Sequence, residues 1–176
     1  MRLWTIQHIK AYEDMVVTGS LRASSAHLFL REDFLFAYDW MSEQLKKRIG
    51  PPPDSVVYPV WAWYQWDGRH QRPDMRSFRK WCTPGTPIVL LTVEIPDDQV
   101  LLSDFDMWNC ILCNGYLSLT GDEPATLSPE DILASWENVF CWNIENDVWP
   151  SPKNTQACMW EVCKGWIRKA EFFSSR

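Results

Sequence analysis

The chain has 176 residues, 46% of them hydrophobic and 23% charged, with a formal net charge of −6. Residues 1–176 fit one domain, and such a domain buries roughly 70% of its unfolded surface without help from disulfides or metals. The acidic balance argues against a generic nucleic-acid binder, whose surface would be basic.

Leu3–Gln7 predicts a short strand from its β-branched and aromatic residues. Tyr12, Met15 and Val16 then share a helical face, and Gly19 supplies the stop. Gly19, Ser20 and Leu21 read as a turn back toward the core. Phe34, Tyr38, Met41 and Leu45 recur at helical spacing and make the clearest apolar stripe. Lys46, Lys47 and Arg48 complement the dipole at the end of that helix, and Gly50 followed by Pro51, Pro52 and Pro53 terminates it.

Val56–Trp66 is strand-like, with Val60, Ala62 and Tyr64 on one face and Trp61, Trp63 and Gln65 on the other. Pro59 makes its beginning an edge or a strand start. A polar loop over Asp67–Trp81 carries Arg69, Arg72, Arg76, Arg79 and Lys80. It reads equally as a solvated surface loop or as a clamp for phosphate or another anion.

The apolar run Pro87–Ile95 predicts a central strand, and Pro96, Asp97 and Asp98 a turn. Val100–Leu102 is a short strand. Ser103 or Asp104 caps a helix running to Cys113, with Gly115 just past its end. After a loop over Thr120–Leu127, Ser128, Pro129, Glu130 and Asp131 form a helix start. Ile132, Leu133, Trp136, Val139 and Phe140 are its apolar face. Asn143–Thr155 is a loop, and Gln156–Val162 and Lys169–Phe173 are strands. Strands scattered between helices without βαβ alternation predict an α+β domain: a mixed, largely antiparallel sheet with flanking helices.

Of the 12 Trp, most belong in the core, with two or three lining a pocket. The six cysteines include one C-x-x-C, Cys110 and Cys113. One pair without a second pair or spaced histidines does not make a zinc site, so buried free thiols and no metal are expected. The opening MRLWTIQ lacks a secretory pattern and no stretch approaches a membrane span. A cytoplasmic protein that avoids membranes is the expectation.

The Walker, dinucleotide-binding, nucleophile-elbow and zinc-protease signatures are absent. What remains is polar residues on strands. Glu161 falls on one face with Ala157 and Met159, Gln156 stands at the start of that strand, and Thr5 and Gln7 share a face of the first. Taken singly, each reads as an exposed edge, as does Glu94 at the end of the long apolar strand.

The segments LWTIQ, AYDWM with KRIGPP, YPVWAWYQW with RPDMR, VLLSDFDMW, SWENVF and QACMWEV, in that order, resemble a bacterial family known as a domain of unknown function. A second resemblance reaches an activity. Strand, helix, G-x-L, then Q-A-x-x-x-E on a late strand and a closing strand look like the ADP-ribosyltransferase fold. That resemblance implies NAD between two small sheets. Glu161 would be the catalytic carboxylate, holding the ribose 2′-hydroxyl and stabilising positive charge as nicotinamide leaves. Thr5 and Gln7, or Arg2, would stand at the first strand, Trp61 and Trp63 would stack on the cofactor, Arg76 would meet the pyrophosphate, and Gln156 would flank the site. The pattern departs from that fold in its first strand, in the Gln156–Glu161 spacing, and in lacking a Ser-Thr-Ser. The competing expectation is a non-enzymatic protein whose Trp-lined groove binds a nucleotide, a peptide or a partner chain.

Overall fold

A computed structural model describes residues 1–23, 32–78, 83–144, 148–149 and 153–174. Arg79, Lys80 and Cys82 of the sequence reading lie outside the described residues, as does Trp81.

Alternating residues at the start of the chain form β1 (Arg2–His8). His8 caps α1 (Ile9–Thr18), its side chain accepting from the Lys10 N–H. Gly19 ends that helix in the left-handed region at φ 90°, which a side chain would resist. The expected turn that follows is instead a short strand, β2 (Ser20–Arg22). Helix α2 is Leu35–Arg48. Phe34 sits before it as the cap, so the buried stripe is carried by Ala37, Met41 and Leu45.

Strand β3 is Val60–Gln65, shorter than the apolar run because Pro59 precedes it. A four-residue helix, α3 (Met75–Phe78), lies inside the predicted polar loop. Strand β4 is Pro87–Glu94 and strand β5 is Leu101–Asp104. Asp104 then caps α4 (Phe105–Leu112), accepting from the backbone of Asp106 and Met107. Ser128 and Asp131 exchange side-chain and backbone bonds in a capping box at the head of α5 (Pro129–Ser135). A 3-10 turn over Trp136–Phe140 continues it. Leu133, expected on the apolar face, is 49% exposed.

The expected strand Gln156–Val162 is broken into β6 (Thr155–Met159) and β7 (Glu161–Cys163). At Trp160 the chain passes from the large sheet to the two-stranded one, and the indole N–H of this buried residue donates to the Gly50 carbonyl at 2.8 Å. Strand β8 (Ile167–Ser174) closes the chain.

These strands make a six-stranded sheet in the order β5-β6-β3-β1-β4-β8 and a two-stranded sheet of β2 and β7. All the pairings described are antiparallel, so the architecture is α+β as expected. Strand β4 is internal, flanked by β1 and β8, which explains its unbroken apolar run.

Alternation divides the large sheet into two faces. Leu3, Val60, Ala62, Val89 and Leu91 pack with Ala11 and Met15 of α1. On the opposite face, Cys158 and Trp61 pack with residues of α2 and α4. Further along that face, Trp4, Ile88 and Leu90 pack with Met75. Tryptophan N–H groups also fasten loops to the core: Trp136 donates to the Gly115 carbonyl and Trp149 to that of Ser118. No helix among the described residues is long and apolar enough to cross a membrane.

Candidate functional site

The residues singled out in the sequence fall in three places. Thr5 is fully buried on the α1 face. Its hydroxyl donates to the Trp61 carbonyl at 2.7 Å and accepts from Gln7 Nε2 at 2.7 Å. The bond to Trp61 joins β1 to β3 and the bond from Gln7 stays within β1, so the hydroxyl both donates and accepts.

Trp61, Trp63 and Gln156 lie on the other face. Trp63 pairs with Trp4 on one side and Gln156 on the other. Trp63 is 5% exposed and packs against Phe105 and Trp66. Trp61 packs at a tilt on Trp108, with ring centroids 4.9 Å apart, and makes an edge contact with Tyr38. Trp63 is thus buried in the core, while Trp61 is half-buried against a core cluster. Gln156 stands opposite Ser103, and Gln156 Oε1, Ser103 Oγ and Trp61 Nε1 are buried without a hydrogen-bond partner among the described residues.

Glu161 occupies the third place. The break at Trp160 shifts the alternation by one residue, so Val162 rather than Glu161 joins Met159 in its cluster. Glu161 therefore does not share a face with Ala157 and Met159. It stands opposite Arg22 in the two-stranded sheet and accepts from Arg22 Nε at 2.8 Å. Thr5 and Gln7 are separated from Trp61 and Trp63 by the thickness of the sheet, and Glu161 belongs to a different sheet.

Arg76 lines a groove. The groove, about 650 Å³, is bounded by Trp66, Gln71, Arg72, Pro73, Met75 and Arg76, with Asp67, Asp74 and Phe173 completing it. That volume is in the range of small-molecule sites.

The local sequence explains how the loop is shaped. Asp67 and Gly68 both take positive φ, turning the chain sharply so that Trp66 and Arg69 bridge. The Asp67 N–H donates to Asn154 Oδ1 and the Gly68 N–H to the Lys153 carbonyl, which ties the turn to the start of β6. His70 fastens the loop to β1. Its Nε2 lies 2.9 Å from the Arg2 carbonyl, and its ring packs against Trp4 and Tyr64. Gln71 Nε2 donates back to the Trp66 carbonyl. Asp74 accepts from the Arg76 N–H at the start of α3. Met75 is buried against the sheet, leaving Arg72 and Arg76 exposed.

A single nitrogen, Arg72 Nη1, donates to both carboxylate oxygens of Glu171 on β8, at 3.0 and 3.1 Å. Lys169 Nζ reaches the same carboxylate at 3.0 Å. The cost of partial burial would raise the Glu171 carboxyl, but its bonds to Lys169 and Arg72 outweigh it and hold the group below its usual range. Arg76 has no ion pair among the described residues. Sequence reasoning found the cationic loop but missed Trp66, Gln71 and Phe173 as walls. Phe173 arrives from the far end of the chain, and no local pattern joins it to the loop.

Cys110 and Cys113 end α4. Cys110 Sγ lies 3.8 Å from the Tyr116 carbonyl, and its thiol is pushed up by burial and then by the nearby Cys113 and Glu123. Among the described residues, no group of three or more His, Cys, Asp or Glu side chains is placed to hold a metal.

An antiparallel sheet carrying helices on both faces, with a cationic loop clasped over one of them, is the class of domain the structure defines. The model of the family described as Domain of unknown function (DUF3841) matches residues 2–131. The chain belongs to that family. The SWENVF and QACMWEV segments, which carried part of the resemblance, lie beyond the matched residues. No curated protein and no solved structure matches the chain.

Proposed function

We propose that this domain is a non-enzymatic recognition module that binds an anionic small molecule carrying an aromatic ring, of the nucleotide type, in the groove beneath the loop over residues 66–76. The observation that carries this reading is Arg76, a guanidinium without an ion pair among the described residues, on the lining of a groove that also holds the Trp66 indole. Guanidinium forks match phosphate oxygens, and an indole face suits a planar base. Gln71 adds an amide for orientation.

The alternative of NAD-dependent transfer would need Glu161, Thr5 and the cofactor-contacting residues in one cleft. Thr5 is fully buried with its hydroxyl engaged, and the Glu161 carboxylate is paired with Arg22. That spread favours binding over turnover.

The test is calorimetry with NAD, ADP and ATP on the wild type, Arg76→Ala and Glu161→Gln, with nicotinamide release followed in parallel. The expected result is saturable binding that Arg76→Ala weakens about tenfold or more, and that Glu161→Gln leaves unchanged, with no nicotinamide released. Nicotinamide release that Glu161→Gln abolishes would replace this reading with the transferase. Absence of binding at millimolar nucleotide would overturn it outright.

A further inference from the structure

We infer that the groove takes a doubly charged phosphate group through Arg72 and Arg76 together, with Arg72 released from Glu171 as the ligand enters. The inference rests on the groove being the binding site. It concerns the charge state of the ligand and a second recognition residue.

Glu171 is held by two cations at once. Arg72 grips both of its oxygens, at 3.0 and 3.1 Å, and Lys169 Nζ touches Oε1 at 3.0 Å. Lys169 and Glu171 pair with Thr92 and Leu90, so they are two apart on one face of β8 and stay neighbours whatever Arg72 does. Removing Arg72 would leave Glu171 with a cationic partner and no uncompensated charge. Arg72 is 53% exposed and Lys169 62% exposed, so the exchange takes place in solvent, where such pairs are weak.

The reason to recruit Arg72 is the charge of the lining. Asp67 and Asp74 also face the groove, and their carboxylates oppose an anion. Arg76 alone does not offset the two. A second fork does, and it adds two more directed donors. A phosphate monoester carries close to two charges above its second pKa of about 6 and presents three oxygens, enough for both guanidinium forks. A sulfate monoester presents the same oxygens with one charge.

The probes are phenyl phosphate and phenyl sulfate, titrated calorimetrically at pH 8 and low ionic strength into the wild type, Arg72→Ala, Arg76→Ala and Glu171→Gln. The wild type is expected to bind phenyl phosphate about tenfold more tightly than phenyl sulfate. Arg72→Ala should erase that preference, and Glu171→Gln, which frees Arg72 in advance, should tighten phenyl phosphate about threefold or more. If Arg76→Ala abolishes binding of both probes while Arg72→Ala and Glu171→Gln change neither, the Arg72 exchange is overturned and the groove survives as a one-arginine site. If the wild type binds neither probe, the inference and the groove reading fall together. Matched melting temperatures for Glu171→Gln and wild type separate these outcomes from misfolding.

Discussion

Glu161 and Arg22 face each other across the two-stranded sheet, with Arg22 Nε 2.8 Å from Glu161 Oε2. The arginine is 44% exposed and the glutamate 25% exposed. A pair this open gains little from Coulomb attraction, because water screens it and both side chains lose freedom. A double-mutant cycle with Arg22→Ala and Glu161→Ala, followed by urea denaturation, should return a coupling of about 0.2–1 kcal/mol. A coupling well above that range would mean that the pair is held for more than the sheet's sake.

Asp104 is a different case. It is 1% exposed, caps α4 through Oδ1, and meets Lys153 Nζ through Oδ2 at 3.2 Å. Asp104→Ala removes the cap and strands a mostly buried ammonium, and should cost about 3–5 kcal/mol. Asp104→Asn keeps an oxygen for the cap but turns an amide N–H toward Lys153 Nζ, so it still loses the ion pair and should cost less than Asp104→Ala by about the value of the cap, ~1 kcal/mol. Chemical denaturation of both variants measures the difference.

A Cβ built on Gly115 would stand 2.4 Å from Cys110 Sγ and 3.2 Å from the Cys110 carbonyl oxygen. Gly115→Ala should therefore destabilise the protein by about 1–3 kcal/mol through overpacking. Cys110→Ala in the same chain removes the sulfur and should recover most of that loss. A double variant no more stable than Gly115→Ala would place the conflict in the backbone instead.

The Glu94 carboxylate is held below its usual range by hydrogen bonds from Arg168 and then Arg2. A depressed carboxylate contributes stability above its unfolded value, about 4.3 for Glu, and loses it as pH falls through the lower folded value. Melting curves of wild type and Glu94→Gln should differ at pH 7 and converge as the pH drops below about 4. Added salt should narrow the gap at pH 7, since the group lies open to solvent.

Elements with a local chemical signal were legible in the sequence. The Ser128 and Asp131 box, the Asp104 cap, the Gly19 stop and the apolar run of β4 each depend on residues within a few positions of one another. The broken strand at Trp160 was not legible. There the chain changes sheet, β7 pairing with the distant β2, and Trp160 bonds Gly50 across 110 positions, while the run QACMWEV shows no breaker of its own. With that break went the expected face of Glu161. The pairing of Arg72 with Glu171 is likewise remote, and so is the arrival of Phe173 at the loop.

The sequence by itself determined an α+β domain, its principal helices and strands, a Trp-rich interior and a cationic loop, because hydrophobic period, caps and turn residues act over short spans of chain. Only the tertiary structure decided which side chains share a space. The pairing register of β1 and β3 set Thr5 against Trp61 and Trp63 on opposite faces of one sheet, and the shift after Trp160 took Glu161 to another. It also put Arg76 on the lining of a groove. Those outcomes follow from pairings between distant segments, where burial of whole faces outweighs the preference of any single residue.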